Sequence, residues 1–247
     1  MYRGATIAVV IPAYNEEELL GPTIRSVPEW VDLVVVVDDR SRDGTAEVIQ
    51  GNGDPRLVAL HLESNLGVGG AILRGYEQAL RRGAEVIAVM AGDGQMDPHD
   101  LPGLLDPIID DRADYVKGNR LGSRDLLGTM PLVRIIGNFA LSYLTRRATG
   151  LDHVHDSQCG YTAIRRDLVA RLPLLEVYPR YGFPNDLLGH LALLGARVID
   201  HPVRPVYGPE RSGIRIPAAA VTISALLVRV WWRCRVRPPA AEMPRRR

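Results

Sequence analysis

The chain has 247 residues, 46% of them hydrophobic and 24% charged, with a net charge of +1. That length and apolar content support one sizeable core, and the near-neutral balance excludes the global positive field of a nucleic-acid binder. Two cysteines, Cys159 and Cys234, make neither a disulfide framework nor a zinc spacing. The longest apolar run, Ile216 to Val228, falls short of the roughly 20 residues a membrane-spanning helix needs. The N-terminus enters a strand-like segment without a leader pattern, so the sequence reads as cytoplasmic, with the option of a peripheral seat on the inner face of the cell membrane.

Short β-branched runs alternate with helix-length segments through the first half. Strands are expected at Ile7–Ile11, Leu33–Val37, Leu57–Leu62, Val86–Met90 and Tyr115–Gly118. Helices are expected at Glu16–Val27, with acids in the first turn, and at Gly44–Gln50, Gly69–Arg82 and Leu101–Ile109. The nearly pure valine of Leu33–Val37 predicts a strand buried on both faces. The second half predicts a long helix at Val133–Thr149, a strand at Gly160–Ile164, a helix at Leu187–Leu194 and a strand at Val198–Val203. A loop over Arg204–Arg215 and a helix over Pro217–Arg233 close the series. The alternation implies an α/β fold, a mostly parallel central sheet flanked by helices. The chain divides into one domain over residues 1–213 and a C-terminal amphipathic helix with a basic tail over 214–247.

Ligands of open parallel sheets bind beyond the carboxyl ends of the strands. Three of the first four loops at that edge are rich in carboxylates, an arrangement that calls for a cation or hydrogen-bond donors. In Ala91-Gly-Asp-Gly-Gln-Met-Asp97, the residues Asp93, Gln95 and Asp97 offer hard oxygens at alternating positions, as suits Mg²⁺ or Mn²⁺ completed by substrate phosphates. The same residues also suit a turn leading into a helix. Asp38 and Asp39 follow a buried strand, with Asp43 placed to cap the next helix. Gly67-Val-Gly-Gly70 does not complete a Rossmann fingerprint, because Ile72 stands where Gly or Ala is needed. These glycines instead suit close packing, or approach of the backbone to a ligand. His61 and Cys159 read as packed structural residues, and His153, His155 and Asp156 carry little weight as a zinc set.

Taken together, the loops resemble family 2 glycosyltransferases of the GT-A fold, especially the polyprenyl (dolichyl) phosphate mannosyl- and glucosyltransferase branch. The matching segments are Val10-Ile-Pro-Ala-Tyr-Asn-Glu-Glu17, Val36-Val-Asp-Asp-Arg-Ser-Arg-Asp-Gly-Thr45, Asn65-Leu-Gly-Val-Gly-Gly-Ala71 and Asp93-Gly-Gln-Met-Asp-Pro98. Gly118-Asn-Arg120, Asp156-Ser-Gln-Cys-Gly-Tyr161 and Val206-Tyr-Gly208 follow in order. The resemblance implies a Rossmann-like GT-A domain using Mg²⁺ or Mn²⁺ and a UDP- or GDP-linked sugar. It implies that Pro12, Tyr14, Glu16, Val37 and Asp39 hold base and ribose, and that Gly92, Asp93 and Gln95 meet the metal and diphosphate. Arg120 is implied to bind phosphate or acceptor, Arg211 to close over the diphosphate, and Arg134 and Asn138 to meet an acceptor phosphate. One departure is Ala91, which stands where the family's Asp-x-Asp motif has its first aspartate; either metal affinity is then lower, or Asp97 or a water compensates. A second is Pro205, which occupies the place of an expected arginine, with Arg204 beside it.

Two acceptor chemistries remain open, with inversion at the anomeric carbon implied for both. A polyprenyl phosphate brings an anionic oxygen and needs no strong base, whereas the hydroxyl of a soluble molecule or glycan needs a carboxylate, for which Asp186 stands first and Asp156 second. A catalytically silent nucleotide-sugar-binding module is the third reading. An apolar face of Ile223, Leu226, Leu227, Val230 and Trp231, with Trp232 and arginines at its end, suits an interfacial helix or a helix packed on the domain or on a second subunit.

Overall fold

The computed structural model describes residues 1–122, 130, 132–204 and 216–236, with side chains from Thr222 onward in the last stretch. Four β-branched runs form parallel strands: β1 (Ile7–Ala13), β2 (Leu33–Asp38), β3 (Leu57–His61) and β4 (Val86–Val89). β1 pairs with β2 on one side and β4 on the other, and β3 lies outside β2. Val34 to Val37 are wholly buried, as an all-valine strand requires. Val35 and Val37 pack toward helix α3 (Val68–Arg81), and Val34 and Val36 toward α1 (Leu20–Ser26) and α4 (Leu101–Ile109).

Strands β5 (Tyr115–Asn119), β6 (Thr162–Arg165) and β7 (Val198–Pro202) complete the order β3-β2-β1-β4-β6-β5-β7. β6 alone runs antiparallel to its neighbours. A charged network holds this reversal. Arg165, at the end of β6, is buried and reaches Asp111 and Asp114. Arg197, just before β7, contacts the same two carboxylates at 2.7 and 2.8 Å. Hydrogen bonds from Arg165 and then Arg197 hold Asp111 down to a pKa of about 2.

The remaining helices are α2 (Thr45–Gln50), α5 (Leu132–Thr149), α6 (Arg166–Arg171), α7 (Phe183–Leu193) and α8 (Ile216–Val236). Helix α1 begins at Leu20 rather than Glu16 because tertiary contacts engage the preceding acids. The Glu16 N–H donates to Thr45 Oγ1, and Glu17 Oε2 accepts the Gly44 N–H at 2.7 Å. The face of α8 formed by Ile223, Leu226, Leu227 and Val230 is buried, packing against α5 and α7, and does not lie open for a membrane. Gly182 and Gly189 permit that contact, since a Cβ on either would collide with Leu226 or Val230. Among its described side chains, the large apolar residues that α8 exposes are Val228, Trp231, Trp232 and Val236. Helix α5 exposes Leu132, Val133, Ile136, Phe139, Tyr143 and Leu144. No helix among the described residues is long and apolar enough to cross a membrane.

Asp114 is fully buried. Asp114→Ala should cost about 3 kcal/mol in urea denaturation, because it leaves buried guanidinium charge facing Asp111 alone. Asp111 has a depressed pKa, so its contribution is present above the ordinary value of 3.8 and is lost as pH falls toward 2. The stability gap between wild type and Asp111→Asn should therefore close over that window.

Candidate active site

The carboxyl ends of the parallel strands open onto a cavity of about 320 Å³. Pro12 and Ala13 reach it from the end of β1, Tyr14 and Glu16 from the loop that follows, Asp39 from the loop after β2, and Asn65 and Gly67 from the loop after β3. Ala91, Gly92 and Asp93 close it from the loop after β4. Strand order therefore places Asp39 and Asn65 toward one end and Asp93 toward the other. The structure thus brings together Pro12, Tyr14, Glu16, Asp39, Gly92 and Asp93, as the sequence motifs suggested. Val37 does not line the cavity; its side chain belongs to the core.

Asp39 is buried, with Oδ1 accepting the Leu66 N–H at 2.6 Å and Oδ2 the Gly67 N–H at 2.8 Å. Burial pushes its pKa up despite those two bonds and the nearby Arg180 charge, and Asp38 pushes the same way. Asp38 has the opposite balance. Burial raises it, but hydrogen bonds from Ser41 and His61 outweigh that and hold it low. His61 is thus a structural partner of Asp38, at 3.2 Å.

In the loop after β4, Asp93 Oδ1 accepts the Gln95 N–H at 3.0 Å around Gly94, whose φ of +71° suits a glycine. The Ala91 N–H donates to Met96 Sδ. Asp97 does not make up for Ala91. Its Oδ1 accepts the His99 N–H and its Oδ2 pairs with Arg204 at 2.9 Å, so it starts the turn that leads into α4. Among the described residues no three His, Cys, Asp or Glu side chains converge as a metal cage. Asp93 and Gln95 nevertheless fit Mg²⁺ or Mn²⁺ of the kind held by one carboxylate and substrate phosphates.

Several expected residues stand elsewhere. Arg120 Nε and Nη2 grip Asp156 at 2.8 and 3.1 Å, and Asp156 is wholly buried. Asp186, expected as a general base, is also wholly buried. Its oxygens accept from Arg229 at 2.9 Å and from the Tyr178 N–H at 2.8 Å, pinning α8 to α7. Neither Arg120 nor Asp186 lines the cavity. Arg134 is exposed near the start of α5, and Asn138, one turn on, approaches Met130 Sδ. Arg211 and the segment 206–208 lie outside the described residues. His155 and Asp156 make no zinc set, since His155 turns to Asp200 and Asp156 to Arg120.

Motif reading missed Arg180 and Tyr181, which complete the cavity wall. Their segment folds onto the start of α3, where the Gly70 N–H donates to Pro179 O at 3.0 Å. A Cβ at Gly67 or Gly69 would collide with Arg180 or Phe183. Those glycines were the available signal: a helix start bare of side chains needs something packed against it.

A parallel sheet with one reversed strand, and a pocket that runs from a buried carboxylate to a metal-type loop, define a glycosyltransferase of the GT-A class. The model for glycosyl transferase family 2 matches residues 8–172, and the chain belongs to that family of nucleotide-sugar-dependent enzymes. It is 32% identical over 216 residues to a UDP-N-acetylglucosamine–dolichyl-phosphate N-acetylglucosaminyltransferase of Methanococcus voltae, across 81% of this chain and 86% of the relative. It is 34% identical over 202 residues to an undecaprenyl-phosphate mannosyltransferase of Micrococcus luteus, across 80% and 82%. In fold it matches glucosyl-3-phosphoglycerate synthase of Mycobacterium tuberculosis, a structure with Mn²⁺, UDP and glucosyl-3-phosphoglycerate. The TM-score is 0.70 at 22% identity, covering 93% of this chain and 81% of that one.

Two protein oxygens make a weak cation site. Isothermal titration of Mn²⁺ into the protein should therefore show little binding until UDP or GDP is added, and Asp93→Asn should abolish the nucleotide-dependent component. Strong binding of Mn²⁺ alone would move the metal to other ligands.

Proposed function

We propose that this enzyme transfers a sugar from a UDP- or GDP-linked donor to a polyprenyl phosphate, with inversion, assisted by a divalent metal. The observation that carries the choice of acceptor is the state of the two carboxylates suited to act as base. Asp186 is locked to Arg229, and Asp156 to Arg120. Both are wholly buried and neither lines the cavity, so neither is placed to take a proton from a substrate hydroxyl. A phosphate monoester needs none, being largely ionised at neutral pH. The polyprenyl-phosphate acceptors in the names of both sequence relatives support the same choice.

In this reading the base and ribose lie along Pro12, Tyr14, Glu16 and Asp39, and the diphosphate lies at Gly92 and Asp93. The metal, held by Asp93 and Gln95, supplies positive charge for the departing nucleoside diphosphate. Arg120 and Arg134 bring positive charge to the acceptor side, the first oriented by Asp156 and the second set on α5. Arg211 is proposed to add charge over the diphosphate.

The exposed apolar stripe of α5 supports a lipid-bound substrate. Helices usually turn such a stripe to the core. Here Val133 and Ile136 are 76% and 68% exposed, beside Arg134. Trp232, 62% exposed, and Arg235, stacked on Trp231, extend the same chemistry on α8. Aromatics and arginines of this kind suit the surface of an anionic bilayer.

With purified protein, a polyprenyl phosphate and Mn²⁺ or Mg²⁺, release of UDP or GDP should depend on the lipid and stop with EDTA. Asp93→Ala should lower turnover by about 10²-fold or more. Turnover with a soluble hydroxyl acceptor and none with lipid would replace the acceptor. In flotation with anionic liposomes, Val133→Glu with Ile136→Glu should weaken binding at least about 10-fold, since each removes roughly 2 kcal/mol of apolar burial. Unchanged flotation would remove α5 from the membrane contact.

A further inference from the structure

The cavity has a cation at the end away from Asp93, and neither the family motifs nor the chemistry above gives it a role. Arg180 enters from the segment before α7 and lies over Gly67, where a Cβ would sit 2.9 Å from its Cγ. Its Nη2 donates to Asn65 O at 2.9 Å and its Nη1 to Asn65 Oδ1 at 3.4 Å. Asn65 in turn donates through Nδ2 to Asp39 O at 3.1 Å. The guanidinium, though exposed, is thus engaged by Asn65 at the cavity rim, and its charge is felt at the Asp39 carboxylate. Two of its five N–H donors go to Asn65. Arg180, Asn65 and Asp39 all line the cavity, on the side of strands β2 and β3.

We propose that Arg180 is a specificity-determining residue that reads the carbonyl edge of the donor's nucleobase while Asp39 accepts from the ring N–H next to it. This rests on the donor-site reading above and deepens it by naming the residue that selects the base. Uracil presents a carbonyl at C4 beside the N3–H, and guanine a carbonyl at C6 beside the N1–H. Either edge matches a guanidinium donor next to a carboxylate acceptor. Cytosine and adenine reverse both features, placing an amino group against the guanidinium and a bare ring nitrogen against the carboxylate. A site with fixed polar partners disfavours such a mismatch, because the buried Asp39 carboxylate then faces a lone pair in place of a donor. The guanidinium fork is planar by delocalisation and its bonds to Asn65 help aim it, which a lysine would not reproduce.

The test is calorimetric binding of UDP, GDP, CDP, ADP and inorganic pyrophosphate, each with Mn²⁺, to the full chain. Wild type should bind UDP or GDP at least 10-fold more tightly than CDP and ADP. Arg180→Gln keeps much of the stem over Gly67, and thermal melting checks that the fold is retained. It should weaken the preferred nucleotide about 10-fold and collapse the preference, leaving pyrophosphate binding unchanged. Arg180→Lys should recover affinity only in part. Wild-type ratios in Arg180→Gln would overturn the proposal. So would an equal loss for all four nucleotides and pyrophosphate, which would make Arg180 a phosphate contact. If wild type bound none of the five, the donor site itself would fall, and this inference with it.

Discussion

Three glycines at the start of α3 leave a strip of bare backbone, and the segment Pro179–Phe183 lies down on it. A Cβ on Gly69 would stand 2.5 Å from the Phe183 ring, and one on Gly67 2.9 Å from Arg180. The contact is sealed by the Gly70 N–H to Pro179 O bond. Much follows from this close approach. It sets Arg180 and Tyr181 on the cavity, and it fixes the start of α7 over the sheet. It also positions Asp186, one turn into α7, to receive Arg229 from α8. A helix start that lacked those glycines would hold the second half of the chain away from the first and leave the pocket one-sided.

The crowd of carboxylates at the sheet edge is resolved acid by acid. Asp38 is held by Ser41 and His61, Asp39 by two backbone amides, Asp97 by His99 and Arg204, and Asp156 by Arg120. Each would carry a large desolvation cost if left alone. Asp93 differs in position. It lines the cavity as Asp39 does, but half-buried and at the opposite end, with Gln95 close in the same loop and Ala91 in place of the acid that would have repelled it. Loss of one carboxylate lowers the charge available to a cation and makes the substrate diphosphate a larger part of any metal site.

The sheet was legible because its signal is local. Val34 to Val37 can scarcely be anything but a strand covered on both faces, and the loops after such strands must share an edge. Asp39 and the turn that Asp93 makes around Gly94 were likewise visible from residue type and spacing. What escaped was whatever depends on a partner far along the chain. Asp186 has the composition of a helix N-terminal acid or a base, and only the fold brings Arg229 to it. Arg180 carries no motif, since its place is set by glycines more than 100 residues earlier, as its 115-residue separation from Asn65 shows. The amphipathic face of α8 was correctly apolar, but periodicity does not distinguish a helix facing lipid from one facing its neighbour.

That last ambiguity bears on the acceptor. Burial of Ile223, Leu227 and Val230 against Ala148 and Leu141 uses the strong face of α8 to hold α5 in place. Fixed in that way, α5 cannot roll its own apolar residues inward, and Ile136, Phe139 and Tyr143 remain in solvent. A stable fold gains nothing from such exposure, which in water invites association. The helix also carries Arg134 on its first turn. A lipid phosphate offers both chemistries at once, an apolar tail for the stripe and a charged head for the arginine. A soluble sugar hydroxyl would satisfy neither. The tied-up carboxylates bear on the missing base and the open face of α5 on an apolar contact, two independent features that the proposed lipid-phosphate acceptor would answer together.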